Sequence, residues 1–284
     1  METANNYEFS EKNYEHLAKQ IKFTGVGDKL QMELLEQMKQ GKPEFTLSYK
    51  PEFGKEAEAT LHFRMSDKGN YFFNSYNMAV RQEDGSFLSQ NFRVSGPQRV
   101  NTGEGEGTWV NSTITMKEAF NMLEGRFAFK DYVNKEGAKY SAWTGLDFKD
   151  TDQQGNYLLR KFPEYDLRAK LSEYHVKAVR EGNGEGERAL MESLYKGNRQ
   201  AATLAYNGLE SERQVQANPQ YKTATFFEGE KRLSKAEAIA PDKRSEQQDL
   251  KEGKSNKQAV SAGPDEETVP EQSQEKKRGR KVRA

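Results

Sequence analysis

Apolar residues recur at helical spacing in three stretches, each ending at a glycine and leading into two runs of strand character. Leu30, Leu34, Leu35 and Met38 form the first stripe, stopped by Gly41. Ala119, Met122 and Leu123 precede Gly125, and Leu190, Met191 and Leu194 precede Gly197. A 3.6-residue apolar period predicts amphipathic helices, and a glycine just beyond one supplies the left-handed C-terminal residue that a side chain with a Cβ resists. Asp28 is placed to cap the first helix, and Thr115 with Glu118 makes a capping-box pair for the second.

The strands predicted after these helices are Glu44–Lys50 and Glu58–Met65, Arg126–Val133 and Lys139–Phe148, and Gln200–Tyr206 and Glu210–Gln216. Their turns fall at Pro51–Gly54, Asn134–Gly137 and Asn207-Gly208, the last a strong two-residue hairpin signal. The pattern reads as three helix-Gly-strand-turn-strand units near residues 28–65, 115–149 and 187–228. Apolar residues sit six and three places before each glycine, and a tyrosine (Tyr49, Tyr132 or Tyr206) follows it by seven to nine. Glycine-stopped helices before hairpins are common without repetition, so the pattern also has a plainer reading. Between the units lie a hairpin, Asn70–Val80 with Phe87–Val94, a strand at Asn156–Phe162 and a short helix near Asp166–Tyr174. The expected class is α+β: antiparallel sheets with short amphipathic helices, preceded by a helix and connection over residues 1–27. A doubly wound parallel sheet is disfavoured, because most of the turns are too short for parallel crossovers.

Composition divides the chain. Hydrophobic residues make up 34% and charged ones 31%, and 44 basic residues balance 44 acidic ones. All 31 aromatic residues lie at or before Phe227. Residues 241–284 hold 11 basic and 9 acidic residues and little apolar content, so they are expected to be a disordered tail unable to offset its ordering entropy. Neutrality therefore joins a body near −2 to a tail near +2. No apolar run approaches the roughly 20 residues of a membrane span. The polar start and the absence of cysteine point to a cytoplasmic protein without disulfides or thiolate-ligated metal.

Several runs resemble an uncharacterised family, a domain of unknown function encoded on Bacteroidetes conjugative and other mobile elements. They include Phe23–Leu30, Ala59–Arg64, Tyr71–Asn74, Leu123–Arg126, Asn134–Gly137 and Asn218–Thr223, within roughly residues 14–233. The resemblance implies a context beside DNA-transfer, topoisomerase and primase modules. It carries over no catalytic residue.

The residues themselves argue against catalysis. His16, His62 and His175 show no metal-ligand spacing, and no nucleophile elbow or zinc-protease motif is present. The stretches Gly103–Gly107 and Gly182–Gly186 carry glutamates where a phosphate loop needs a cation, so they read as connections. Asp147, Asp150 and Asp152 alternate past a strand, where they read either as a solvated turn or as acids for a divalent cation. No cofactor is expected.

Binding offers more. Lys276, Lys277, Arg278, Arg280, Lys281 and Arg283 form a basic tip around an Arg-Gly-Arg core. The tip resembles an AT-hook with Lys281 in place of the usual proline. Such a tip displaces counterions from a phosphate backbone even without sequence preference. Phe63, Tyr71 and Phe73 could stack bases on a sheet, although the thin apolar supply favours them as core, together with Trp109 and Trp143. The expectation is a non-enzymatic accessory protein that binds DNA or a DNA-processing complex through the tip and the repeat surface. The alternative is a protein-interaction adaptor, and a third class is a metal-dependent nucleic-acid enzyme using the three aspartates.

Overall fold

A computed structural model of the chain describes residues 7–100, 107–182 and 184–240. Ser10 accepts a hydrogen bond from the Asn13 N–H and starts helix α1 (Glu11–Ile21). The helix widens into a π-turn over Lys22–Val26, interrupted by Gly25 at φ +105°. Helix α2 (Gln31–Lys39) follows without a side-chain cap. The expected Asp28 cap is therefore corrected: Gly27 sets a turn before the helix, and the Asp28 carboxylate instead receives Gln31 Nε2 at 2.6 Å and Lys22 Nζ at 3.0 Å.

Strands β1 (Glu44–Tyr49), β2 (Ala57–Met65), β3 (Tyr71–Arg81) and β4 (Phe87–Arg93) form an antiparallel meander. The hairpin expected between the first two units thus completes the first sheet, consistent with the marginal stability of a lone two-stranded sheet in water. A short ribbon follows, β5 (Gln98–Val100) paired with β6 (Thr108–Val110). Helix α3 (Met116–Leu123) carries the capping box expected of Thr115 and Glu118. The second sheet is β7 (Ala128–Val133), β8 (Lys139–Thr151) and β9 (Tyr157–Phe162). Helices α4 (Leu167–Glu173), α5 (Lys177–Glu181) and α6 (Glu185–Tyr195) lead to the third sheet. It comprises β10 (Gln200–Tyr206), β11 (Leu209–Asn218), β12 (Thr223–Glu228) and β13 (Lys231–Leu233), before helix α7 (Lys235–Ile239).

The α+β class is thus observed, with every described strand pair antiparallel. Each unit is a helix, a glycine and a meander. The three glycines have φ of 65°, 74° and 79°, and each N–H donates to the carbonyl of the apolar residue three places back, Met38, Met122 or Leu194. Asn207 and Gly208 both have positive φ, as a type I′ hairpin turn requires.

Helices stand between successive sheets. Seven of the eight residues of α3 are buried, because it packs on β3 and β4 of one sheet and on β7 and β8 of the next. Helix α6 likewise touches β7 and β10. Two cores result. The first joins Leu17 and Ile21 of α1 to the inner faces of α2, the first sheet and α3. The second gathers Trp143, α4 to α6 and the third sheet. Tyrosine hydroxyls tie loops to these cores: Tyr71 donates to the Lys42 carbonyl at 2.5 Å, Tyr76 to Ile114 at 2.7 Å and Tyr165 to Thr223 at 2.7 Å.

Among the described residues no helix is long and apolar enough to cross a membrane.

Candidate anion-binding cleft

The repeat geometry carries basic residues to one place. A glycine that ends a helix turns the chain back over the helix C-terminus, where the macrodipole favours a cation. Arg126 follows Gly125 in this way, and Arg199 lies two residues after Gly197. Both border a cleft of about 620 Å³ where the three units meet. Its wall adds Phe53 and Lys55 from the β1–β2 turn, Glu83 from the β3–β4 turn, Lys117 from α3, Glu124 just after it and Glu230 from the β12–β13 turn.

Asn121, fully buried on α3, fixes the junction of the second and third units. Its Nδ2 donates to the Lys196 carbonyl at 2.6 Å and to Asn198 Oδ1 at 2.9 Å, while its Oδ1 receives Arg126 at 2.6 Å. The packing here is close: a Cβ on Gly197 would stand 2.9 Å from the Phe127 carbonyl oxygen, and its φ of +79° excludes most side chains independently.

Charge in the cleft is unevenly matched. Lys55 pairs with Glu124 at 2.9 Å and Arg199 with Glu230 at 3.0 Å. Lys117 has no carboxylate within ion-pair distance among the described residues; its ammonium instead lies 4.8 Å from the Phe53 ring and 4.9 Å from the Phe120 ring. Burial lowers the Lys117 pKa below the usual lysine value and the Arg126 guanidinium lowers it further, against an opposing pull from Glu124. Arg126 is lowered by burial and by Arg199, again against Glu124. The Nε atoms of Arg126 and Arg199 are buried without a hydrogen-bond partner among the described residues. Each such group costs about 1–3 kcal/mol. Those Nε atoms are too buried to meet a ligand, so the attraction for an anion rests on the balance of the lining, where Lys55, Lys117, Arg126 and Arg199 face Glu83, Glu124 and Glu230, an excess of one positive charge.

The residues singled out from sequence fall elsewhere. The basic tip, Lys276 to Arg283, lies outside the described residues, as do the rest of the tail and most of Gly103–Gly107. Gly182, the left-handed cap of α5, and Gly184, just before α6, lie in a connection as expected, while Glu185 and Gly186 belong to α6, whose first turn suits acidic residues. Asp147, Asp150 and Asp152 do not converge. Asp147 lies 3.6 Å from Arg160, and Asp152 closes the β8–β9 turn by accepting the Gln154 and Asn156 N–H groups, both at 2.9 Å. Those bonds hold the Asp152 carboxyl below its usual pKa. Among the described residues no three His, Asp or Glu gather as metal ligands. His62 is on the open face of β2, and His175, at φ +58°, stacks on Tyr206 and meets Arg180 at 3.1 Å.

Phe63 and Phe73 stack on each other and Tyr71 meets Phe45 edge-on, all buried in the first core, so they offer no platform for bases. Trp143 is buried as expected. Trp109 is corrected: it is 64% exposed on β6 of the short two-stranded ribbon. The cleft itself went unnoticed in the sequence. Its one visible signal was the basic residue within two places of each helix-ending glycine, Lys42, Arg126 and Arg199, of which the last two border the cleft.

Compared with protein-family models, curated proteins and solved structures, the chain finds no match.

Proposed function

We propose that the protein is a non-enzymatic accessory factor of a mobile genetic element. It acts in the cytoplasm and binds DNA, alone or within a DNA-processing complex, through the basic tip and the repeat surface. The observation that carries this reading is the cleft, where Lys117 and Arg126 bring positive charge that no described carboxylate neutralises by direct pairing. A phosphate there meets charge-assisted donors, and the tip adds counterion release along the backbone. The sequence resemblance supplies the mobile-element context. Anisotropy titration of labelled duplex DNA tests the reading. Wild-type binding should weaken steeply with salt, and both removal of residues 276–284 and the pair Lys117→Gln/Arg126→Gln should weaken it further. Absence of binding at low salt contradicts the reading.

A second reading is a protein-interaction adaptor, favoured by the outer edge of the second sheet. Among the described residues β9 has no further strand beside it, and it exposes Leu158 and Leu159. At its first residue the Gln90 side chain exchanges two hydrogen bonds with the Tyr157 backbone at 2.8 and 3.2 Å. Extended peptides add to such edges.

A further inference from the structure

A separate cavity of about 350 Å³ lies where the π-turn after α1 meets the loops flanking the β5–β6 ribbon. A π-turn is an uncommon interruption of a helix, often retained at functional sites. Here it buries Thr24 and Val26 while turning Phe23 outward to 75% exposure. Leaving a phenylalanine in water forgoes its burial in a chain with few apolar residues. The turn is held by the Thr24 hydroxyl donating to the Gln20 carbonyl at 2.7 Å.

The cavity wall is rigid and mixed in character. Val94 and Pro97 supply apolar surface. Across from them, the Ser95 N–H donates to Thr113 Oγ1 at 3.0 Å, and the Thr113 hydroxyl donates back to the Ser95 carbonyl at 2.7 Å. His16 and Lys19 stand on α1 at the rim. Lys130 is already neutralised by Glu118 at 3.0 Å, so Lys19 carries the unmatched charge, with the His16 imidazole beside it as a hydrogen-bonding group. None of the described residues lining the cavity is a carboxylate. An exposed ring, a small polar-backed cavity and a cation at its rim match a planar heterocycle bearing a phosphate.

We infer that this cavity seats an unstacked base of single-stranded nucleic acid, with the base on Phe23 and its phosphate at Lys19 and His16. The inference rests on the nucleic-acid reading of the protein and specifies the strandedness of one contact. A duplex does not present a free base face, so the seat distinguishes single strands from duplex.

The test is anisotropy with the full chain, using labelled oligothymidylate and a duplex of equal length, for wild type, Phe23→Ala, Phe23→Tyr and Lys19→Ala. Phe23→Ala should weaken oligothymidylate binding about ten-fold, the scale of one lost stacking contact. It should leave duplex binding unchanged, while Phe23→Tyr should retain the single-strand affinity. Lys19→Ala should reduce the salt dependence of oligothymidylate binding. Thermal unfolding should be alike in all four proteins, since Phe23 is exposed. Equal oligothymidylate affinity in wild type and Phe23→Ala, with duplex binding intact, overturns the seat and leaves the DNA reading standing. Failure of wild type to bind either probe overturns both. Tight binding of free thymidine monophosphate, with no gain from the longer strand, replaces a strand seat by a nucleotide pocket and overturns the inference as stated.

Discussion

Glu118 occupies the position, seven residues before the unit glycine, that Leu34 and Leu190 fill in the other two units. All three are buried, but the carboxylate must be satisfied, and it is: Lys130 lies 3.0 Å away and the Thr115 N–H donates to it at 2.7 Å. Removing one member of a buried pair leaves an uncompensated charge, whereas replacing both with apolar residues is often neutral. Glu118→Leu should therefore cost about 3–5 kcal/mol in urea unfolding, and adding Lys130→Met should restore most of the loss. Asn121 is the second sensitive residue. Asn121→Ala leaves the Lys196 carbonyl and Arg126 without their partners and should cost about 3 kcal/mol. If that variant unfolds like wild type, the asparagine is not the fastening between units described above.

At the scale of elements, buried tyrosines make stability sensitive to alkali. Burial pushes Tyr132 up to about 12, and burial aided by Tyr7 does the same to Tyr71; Tyr76 is raised well above the ordinary value, by burial and by Glu118. An unfolded tyrosine ionises near pH 10. A folded-state pKa above that value means that the stabilisation is complete below about pH 10 and is lost as pH rises towards 12. Thermal midpoints should accordingly hold on the neutral side and fall from about pH 10, with part of the phenolate absorbance appearing only on unfolding. Phenolate absorbance that appears in full before unfolding would contradict this placement of the tyrosines.

The same scale explains what the chain discloses in advance. Helix–glycine–hairpin units were legible because each signal is local: a 3.6-residue stripe, a glycine with positive φ, and Asn207-Gly208 as a tight turn. The grouping of strands was less so. The pairing of β2 with β3 makes the second hairpin part of the first sheet, and only the tertiary fold decides that. The π-turn left no periodic trace, and Asp28 resembled a cap until Gly27 displaced the helix start to Gln31. The cleft was barely legible for the same reason: the basic residue after each unit glycine is a local signal, but only the packing of units brings Lys117, Arg126 and Arg199 together.

For the molecule as a whole, placing helices between sheets means that neighbouring units share a packing element instead of forming one continuous sheet. That arrangement sets the cleft at a three-unit junction and leaves the tip of the tail as a second, independently removable source of charge. The proposed function makes both sources contribute to one observable, the slope of log affinity against log salt for duplex DNA. Each neutralised phosphate contributes about −0.9 to that slope. The decisive measurement compares this slope in the full chain, in a chain lacking residues 276–284 and in Lys117→Gln/Arg126→Gln. The account predicts a steep slope in the full chain, a fall in magnitude of up to about 5 without the tip and a smaller fall in the cleft variant. Equal slopes in all three proteins, or no binding at low salt, would contradict it.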